Sequence, residues 1–145
     1  MTGENDPDRI EKLCVEKGMR MTDQRRVIAR VLSLAHDHPD VEEVYRRAAE
    51  VDSKISIATV YRTVRLFEEA SILERHDFRD GRSRYEQITE EHHDHLIDLS
   101  SGRVIEFKNE EIERLQAIVA RELGFELVDH RLELYGVPLD RSKKN

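Results

Sequence analysis

The chain has no tryptophan and a single cysteine, Cys14, among its 145 residues. One cysteine excludes an intramolecular disulfide and a zinc site built on a CxxC pair, and it favours a reducing cytoplasm. No apolar run approaches the roughly 20 residues that span a bilayer, and no signal-peptide pattern opens the sequence. The composition, 38% hydrophobic and 38% charged, indicates a soluble cytoplasmic protein with a modest core.

The net charge of −7 is unevenly distributed. Residues 17–30 carry five basic and one acidic side chain, and residues 54–84 carry seven basic and five acidic. From residue 90 onward there are eight basic and thirteen acidic side chains. Because local basic faces matter more for DNA affinity than the total charge does, the first part is suited to binding DNA. The acidic second part is suited to attracting a cation.

The first 88 residues predict a winged helix-turn-helix. Helical periodicity indicates four helices, and Thr22, Asp40 and Ser56 are expected as N-caps, with Asp40 and Glu43 forming a capping box. The period then changes to two on both sides of Arg79-Asp80-Gly81, which is a hairpin signal. The helices are expected at residues 8–17, 23–35, 41–50 and 57–70, and the strands at 72–78 and 82–88.

Residues 89–145 predict a small α+β domain. Two short strands, 95–99 and 103–107, precede a helix at about 110–123 and a long strand at 125–137. So short a unit buries little surface alone, so we expect it to pair with a second copy as a homodimer. The predicted fold is therefore α+β, a winged helix followed by a small α+β dimerisation domain.

The outer face of the fourth helix is the candidate DNA-reading surface. A small side chain there allows close approach, tyrosine can contact a thymine methyl or a phosphate, and arginine can pair with a guanine edge. The alternative is a set of solvated arginines, since winged helices also occur in proteins that do not bind DNA. The candidate DNA contacts are Arg20, Arg25, Ala58, Thr59, Tyr61, Arg62 and Arg65, with Arg79, Arg82 and Arg84 of the hairpin as phosphate contacts.

The stretch EEHHDHLIDLSSG, residues 90–102, concentrates histidines at the start of a predicted strand. Because strand side chains alternate, His93 and His95 take one face, and His92 and Asp94 take the other. The cluster therefore predicts two metal-ligand pairs that face opposite ways. The alternative is an exposed histidine-rich turn that binds metal weakly.

Further ligands are available to both pairs. Glu106 lies on the neighbouring predicted strand, and Glu86 ends the hairpin. His130 shares a face of the predicted C-terminal strand with Val128; taken alone, this pattern favours a core residue, although Glu113 can reach it as a second ligand. Nitrogen and oxygen ligands without thiolate suit iron(II) or manganese(II), and zinc is a plausible occupant.

The stretches ISIATVYRTVRLFEEASIL and HHDHLIDLSSGRVIEF closely resemble the ferric uptake regulator family of bacterial metal-responsive repressors, with the match running from about Met19 to Gly136. The resemblance implies a winged helix followed by a dimerisation domain. It also implies that Tyr61 and Arg62 contact bases and that Arg20 reaches the minor groove. The implied regulatory metal site is His38, Glu86, His93, His95 and Glu106, and the implied second site is His92, Asp94, Glu113 and His130.

The chain departs from many members of that family at one place. Asp98 and Ser101 stand where those members carry CxxC, so no structural zinc is expected there. Glutamates at 86 and 106 are similar to those of the iron regulators, whereas the peroxide-sensing branch tends to place aspartates there. Iron(II) is the expected metal, with manganese(II) and zinc(II) as alternatives.

The resulting hypothesis is an iron(II)-activated repressor of iron-uptake genes, in which metal locks the two domains of a dimer into the geometry of a palindromic operator. Alternatives within the family sense zinc, manganese or peroxide. Two alternatives lie outside it. A two-histidine, one-carboxylate oxygenase needs open coordination positions and a substrate pocket. A winged-helix interaction module would carry a purely structural metal.

Overall fold

A computed structural model describes residues 6–79, 81–89 and 92–139. The chain divides into two compact units, which we call unit 1, up to Thr89, and unit 2, whose described part begins at His92. No helix in the described ranges is long and apolar enough to cross a membrane.

Unit 1 is a winged helix. All of its predicted helices and strands are confirmed, each beginning and ending within one residue of the expected position. Four helices precede an antiparallel two-stranded wing. They are α1 (Arg9–Glu16), α2 (Asp23–Leu34), α3 (Val41–Val51), α4 (Ile57–Glu69), β1 (Leu73–Asp77) and β2 (Ser83–Gln87).

Three of these helices begin at the predicted caps. The Thr22 hydroxyl accepts from the Arg25 N–H at 3.1 Å, and the Ser56 hydroxyl accepts from the Thr59 N–H at 3.1 Å. Asp40 accepts from the Glu43 N–H at 2.8 Å. The reciprocal half of the capping box was a wrong expectation, because the Glu43 carboxylate instead accepts from the guanidinium groups of α3 one turn onward.

The core of unit 1 lies between the helices and the base of the wing. Phe67, Ile28 and Val44 are fully buried in it. Ile57 is 39% exposed, whereas Thr63 of the same helix is buried. Ile57 is the first residue of α4, and a helical side chain leans towards the N-terminus, which carries this one past the packed face.

The wing pairs Leu73 with Gln87 and Asp77 with Ser83, so its loop covers residues 78–82. The expected Asp80-Gly81 turn lies partly outside the described residues, since Asp80 is not among them. Gly81 has a φ of 81°, a left-handed conformation that glycine adopts without steric cost.

Unit 2 contains β3 (Asp94–Asp98), β4 (Val104–Phe107), α5 (Glu110–Glu122) and β5 (Glu133–Gly136). Its sheet has the order β4-β3-β5, with β3 antiparallel to β4 and parallel to β5. The long strand predicted over 125–137 is wrong, because only Glu133–Gly136 is regular. The reason is the length of its partner, since β3 offers only the residues from His95 to Asp98 for pairing.

Helix α5 has an apolar stripe but no buried residue. Leu115 is 52% exposed, Val119 51% and Leu123 71%. A helix of this length is marginal in water and is ordinarily stabilised by packing of its apolar face. In the single chain, the described residues leave the apolar face of α5 exposed to solvent.

The cap of α4 gives a test of this account. Replacing Ser56 with alanine removes the hydroxyl that accepts from Thr59 N–H, and should lower the free energy of unfolding by about 0.5–2 kcal/mol. Urea denaturation of the full chain in EDTA measures this change. Ser53→Ala, at an exposed turn position outside the cap, is the matched control. Equal effects of the two substitutions would contradict the cap.

Candidate metal sites and DNA-binding surface

A compact group of ligands forms on one side of β3 in unit 2. The Nε2 atoms of His92 and His130 lie 3.0 and 3.1 Å from Asp94 Oδ1. The same two Nε2 atoms lie 3.0 Å from each other. Two imidazole nitrogens and a carboxylate oxygen this close together could bind the same divalent cation.

Glu113, in the first turn of α5, completes this group. Ligand atoms of His92, Asp94, Glu113 and His130 all lie within 4.8 Å of one another. Asp94 Oδ2 and Glu113 Oε2 are buried and accept no hydrogen bond from the described residues. A buried carboxylate oxygen without a partner is costly, and a cation bound between these residues removes that cost. We call these four residues the second site.

His130 corrects an expectation. The strand pattern favoured a core residue on an apolar face with Val128, but Val128 is 94% exposed and that stretch of the chain is not a strand. The His130 side chain instead contacts Asp94 and His92, with its ring edge-on to the His92 ring at 4.4 Å. The ligand interpretation of His130 therefore fits the structure better.

The opposite face of β3 carries His95 and faces Glu106. These two residues are directly paired across β3 and β4. His93, just before the strand, has its Nε2 3.3 Å from Glu106 Oε2, and its ring centroid is 5.1 Å from that of His95. We call His93, His95 and Glu106 the β3–β4 group. The alternation of side chains that separated this group from His92 and Asp94 is present as expected.

Unit 1 holds the two remaining predicted ligands next to each other. His38 Nε2 lies 3.4 Å from Glu86 Oε1, and both side chains are largely buried. His38 has a φ of 56°, a conformation uncommon outside glycine and often associated with functional positions. His36, the other histidine of that loop, is exposed. We call His38 and Glu86 the unit 1 pair.

Hydrogen bonds from α3 and β2 hold the residues on either side of His38. Asp37 accepts from Arg47 of α3, and this contact lowers the pKa of the Asp37 carboxyl. The Pro39 carbonyl accepts from the Tyr85 N–H of β2 at 3.0 Å. These contacts hold the unusual backbone of His38 beside the strand that presents Glu86.

One residue of this region was missed by the sequence reasoning. His76 Nε2 lies 2.5 Å from Glu86 Oε1, and the side chain of His76 is buried. The predicted hairpin could have indicated this contact. Its register pairs His76 with Arg84, which places His76 diagonally adjacent to Glu86 on the same face.

Hydrogen bonds take the place of thiolates at Asp98 and Ser101. The Asp98 carboxylate accepts from the N–H and hydroxyl of Ser100, at 2.8 and 2.7 Å, and from the Ser101 hydroxyl at 2.8 Å. These donors lower the pKa of Asp98 to about 2, Ser100 contributing most. The stabilisation is present above the ordinary value of 3.8 and is lost as the pH falls through about 2.

The candidate DNA contacts lie on α4, on α2 and, in the case of Arg20, just before α2. Arg25, Thr59 and Arg62 line a groove of about 360 Å³ between α2 and α4. Arg20 is exposed, and its carbonyl accepts from the Arg25 guanidinium at 2.6 Å. The exposed residues of α4 in the candidate set are Ala58, Tyr61, Arg62 and Arg65, and Thr59 is half-buried.

The wing differs from expectation at one arginine. Arg79 and Arg82 are exposed, but Arg84 is only 5% exposed. The expectation that Arg84 tracks a phosphate backbone is wrong, because its side chain is buried on β2, where Arg84 is paired with His76 of β1.

A winged helix whose fourth helix presents exposed arginines is typical of DNA-binding proteins. Grouped imidazole and carboxylate ligands without thiolate are those of a divalent-metal site. Together they define a class, the metal-responsive DNA-binding regulators.

Comparison with known proteins gives the family within that class. The model of the ferric uptake regulator family matches residues 16–135, and the chain belongs to this family. It is 71% identical over 132 residues to a ferric uptake regulation protein of Rhizobium leguminosarum bv. viciae, covering 91% of this chain and 93% of that protein.

Comparison with solved structures supports the same family assignment. One described as a zinc-bound manganese uptake regulator is 72% identical, with a TM-score of 0.81 over 90% of this chain and 98% of that chain. The Vibrio cholerae ferric uptake regulator is 36% identical, with a TM-score of 0.79 over 88% of this chain and 98% of that chain.

The chain is therefore a metal-dependent DNA-binding transcriptional regulator from a family of dimers, and not an enzyme. This rules out the oxygenase hypothesis. Solved structures of this family are described as zinc-bound, with manganese and with iron, and the imidazole and carboxylate groups of this chain suit such ions.

The second site can be tested by zinc-dependent melting. Wild-type protein should melt at a higher temperature with excess zinc(II), since ligand at 100 times its Kd adds about 2.7 kcal/mol. His130→Ala should reduce this increase, because it removes one of the ligand atoms grouped within 4.8 Å. His36→Ala, at an exposed histidine, should retain it. Equal zinc-dependent increases in both variants would contradict the second site.

Proposed function

We propose that this chain is a metal-activated repressor in which one divalent ion joins the unit 1 pair to the β3–β4 group. The proposal rests on the distribution of the metal ligands between the two units. His38 and Glu86 lie together in unit 1, and His93, His95 and Glu106 lie together in unit 2. Two ligands are too few for a tight site, whereas five nitrogen and oxygen ligands suit manganese(II) or iron(II).

Metal binding of this kind fixes one unit relative to the other. In the dimer, this sets the spacing of the two α4 helices to that of successive half-sites in a palindromic operator. Without metal, the fraction of molecules with the required spacing is small, and the apparent affinity for DNA falls by that fraction. By linkage, DNA binding tightens metal binding by the same factor.

In this proposal the N-terminal and C-terminal parts of the chain have different roles. Residues 1–88 bind DNA, with Tyr61 and Arg62 reading base edges and Arg20 reaching the minor groove. The surrounding contacts, Arg25, Ala58, Thr59 and Arg65, position α4 on the duplex. Residues 89–145 bind metal and dimerise, in a cytoplasmic protein.

Dimerisation through unit 2 is supported by its exposed apolar surface. The face of α5 is uncovered, and Phe125, Val128 and Leu139 are 72%, 94% and 89% exposed. Exposed apolar surface of this extent ordinarily marks an interface. A second copy of the chain would cover it.

The second site has a structural role in this proposal. It brings together Asp94 at the start of β3, Glu113 of α5 and His130 of the segment before β5. A bound cation would therefore fasten α5 to the sheet, so that its apolar face is presented to the partner.

Manganese(II) is the physiological metal that we favour. The support is the 72% identity to a structure described as a manganese uptake regulator, against 36% to the Vibrio cholerae ferric uptake regulator. Iron(II) is the second candidate, because the Rhizobium relative, at 71% identity, carries the name of a ferric uptake regulation protein. The ligands themselves suit both ions. The regulated genes would accordingly be those for uptake of the sensed metal.

Metal-dependent DNA binding tests the repressor mechanism. Operator fragments would be selected from a random palindromic library in manganese(II), and binding measured by fluorescence anisotropy. Wild-type protein should bind tightly with manganese(II) and about 5- to 150-fold more weakly in EDTA, the range that a coupling of about 1–3 kcal/mol implies. Glu86→Gln, and separately His93→Ala with His95→Ala, should remove most of the difference, whereas His36→Ala should retain it.

Two results would contradict the proposed mechanism. Equal DNA binding in manganese(II) and EDTA would make the metal structural. Retention of the metal effect in the Glu86 and His93/His95 variants would show that these ligands are not regulatory. Anaerobic titrations with iron(II) then compare the two candidate metals, and half-maximal DNA binding at a lower free concentration of iron(II) than of manganese(II) would favour iron.

The dimer interface gives a separate prediction. Leu115→Arg places a charge on the apolar stripe of α5, where Leu115 is 52% exposed in the single chain. Sedimentation velocity should show a shift from dimer to monomer. Arg114→Glu, its neighbour on the polar face, changes charge without entering the stripe and should leave the dimer intact. A dimeric Leu115→Arg protein would exclude α5 from the interface.

A further inference from the structure

We infer that His76 is a positioning residue for the regulatory metal, acting through Glu86. The inference rests on the proposed function, in which Glu86 is a ligand. His76 is not a member of either proposed ligand set. Its contribution is to hold the carboxylate that binds the metal.

The contact is short and buried. His76 Nε2 lies 2.5 Å from Glu86 Oε1, and the two side chains are 4% and 11% exposed. At that separation a proton lies between the two atoms. With Glu86 ionised, as a metal ligand must be, the imidazole is the donor and the carboxylate the acceptor. Hydrogen bonds between a nitrogen donor and an ionised carboxylate are the strong ones in proteins.

The geometry of the wing determines this contact. His76 is paired with Arg84, and Glu86 with Glu74, so His76 and Glu86 are diagonal neighbours on antiparallel strands. The His76 ring stacks on Phe78, with centroids 5.2 Å apart and planes 7° from parallel. Stacking fixes the plane of the imidazole, and the plane fixes the direction in which Nε2 points.

The other ligand of unit 1 approaches the same oxygen. Glu86 Oε1 is 3.4 Å from His38 Nε2, and the His38 and His76 ring centroids are 6.3 Å apart. His76 therefore holds Glu86 in one rotamer beside His38. A metal ligand must be ionised and correctly oriented, and outer hydrogen bonds of this kind typically contribute 10- to 100-fold to metal affinity.

Two competing roles give different expectations. If His76 is only a packed ring, phenylalanine should replace it, since phenylalanine keeps the stacking on Phe78 and loses the N–H. If His76 is itself a metal ligand, its replacement should change the coordination sphere. A positioning residue needs the N–H donor, which glutamine supplies at a similar distance from the backbone.

The experiment compares His76→Phe, His76→Gln and Glu86→Gln in the full chain. The first readout is the manganese(II) concentration that gives half-maximal DNA binding. We expect it to rise about 10- to 100-fold in His76→Phe and to return to within a few-fold of wild type in His76→Gln. Melting in EDTA identifies a variant that has failed to fold. The part of the zinc-dependent increase that His130→Ala removes reports on the second site, and neither His76 substitution should affect that part.

The second readout is the cobalt(II) ligand-field spectrum. In His76→Phe the bands should keep the wild-type positions at saturation and develop at higher cobalt(II), because the ligands are unchanged. Changed bands would overturn the inference by making His76 a ligand. Wild-type metal dependence in His76→Phe, or failure of His76→Gln to recover it, would also overturn it. Glu86→Gln separates the two hypotheses, since a wild-type response there would refute the proposed function itself.

Discussion

The alternation of side chains along β3 is the constraint on which the arrangement of ligands depends. Successive residues of a strand face opposite sides, so one short sequence of histidines cannot form one site. Asp94 turns towards His92 and His130, while the next residue, His95, turns towards Glu106. A one-residue shift in the register of β3 would exchange the two sets and destroy both. The pairing of β3 with β4 and β5 is therefore as important to the metal chemistry as the ligands themselves.

Buried carboxylates connect this geometry to function. Asp94 is 1% exposed, and a carboxylate so placed requires positive charge or donors around it. Glu86 has two histidines beside its Oε1 atom, His38 and His76. In each unit the fold thus places a carboxylate where imidazoles surround it. In the proposed mechanism, the second site stabilises unit 2, and the ligands of the other set couple metal to the positions of the DNA-binding helices.

Local signals predicted most of the fold. The caps at Thr22 and Ser56 and the period of each helix were sufficient for unit 1, because these features depend on neighbours in sequence. The alternation rule likewise separated His93 and His95 from His92 and Asp94. The expectations that were wrong concern residues whose environment depends on partners distant in sequence. The length of β5 is determined by β3, and the environment of His130 is determined by Asp94 and His92. The choice of His38 over His36 required the family resemblance, since no local pattern distinguishes them.

The exposed face of α5 has a consequence for measurements of metal affinity. Glu113 belongs both to the second site and to a helix with no buried residue in the single chain. If α5 is secured only when a partner covers Leu115 and Val119, the apparent metal affinity of the second site must rise with protein concentration, by mass action. Titrations at micromolar and nanomolar protein would then give different constants for the same ion. The concentration of the regulator in the cell would become part of its metal set point.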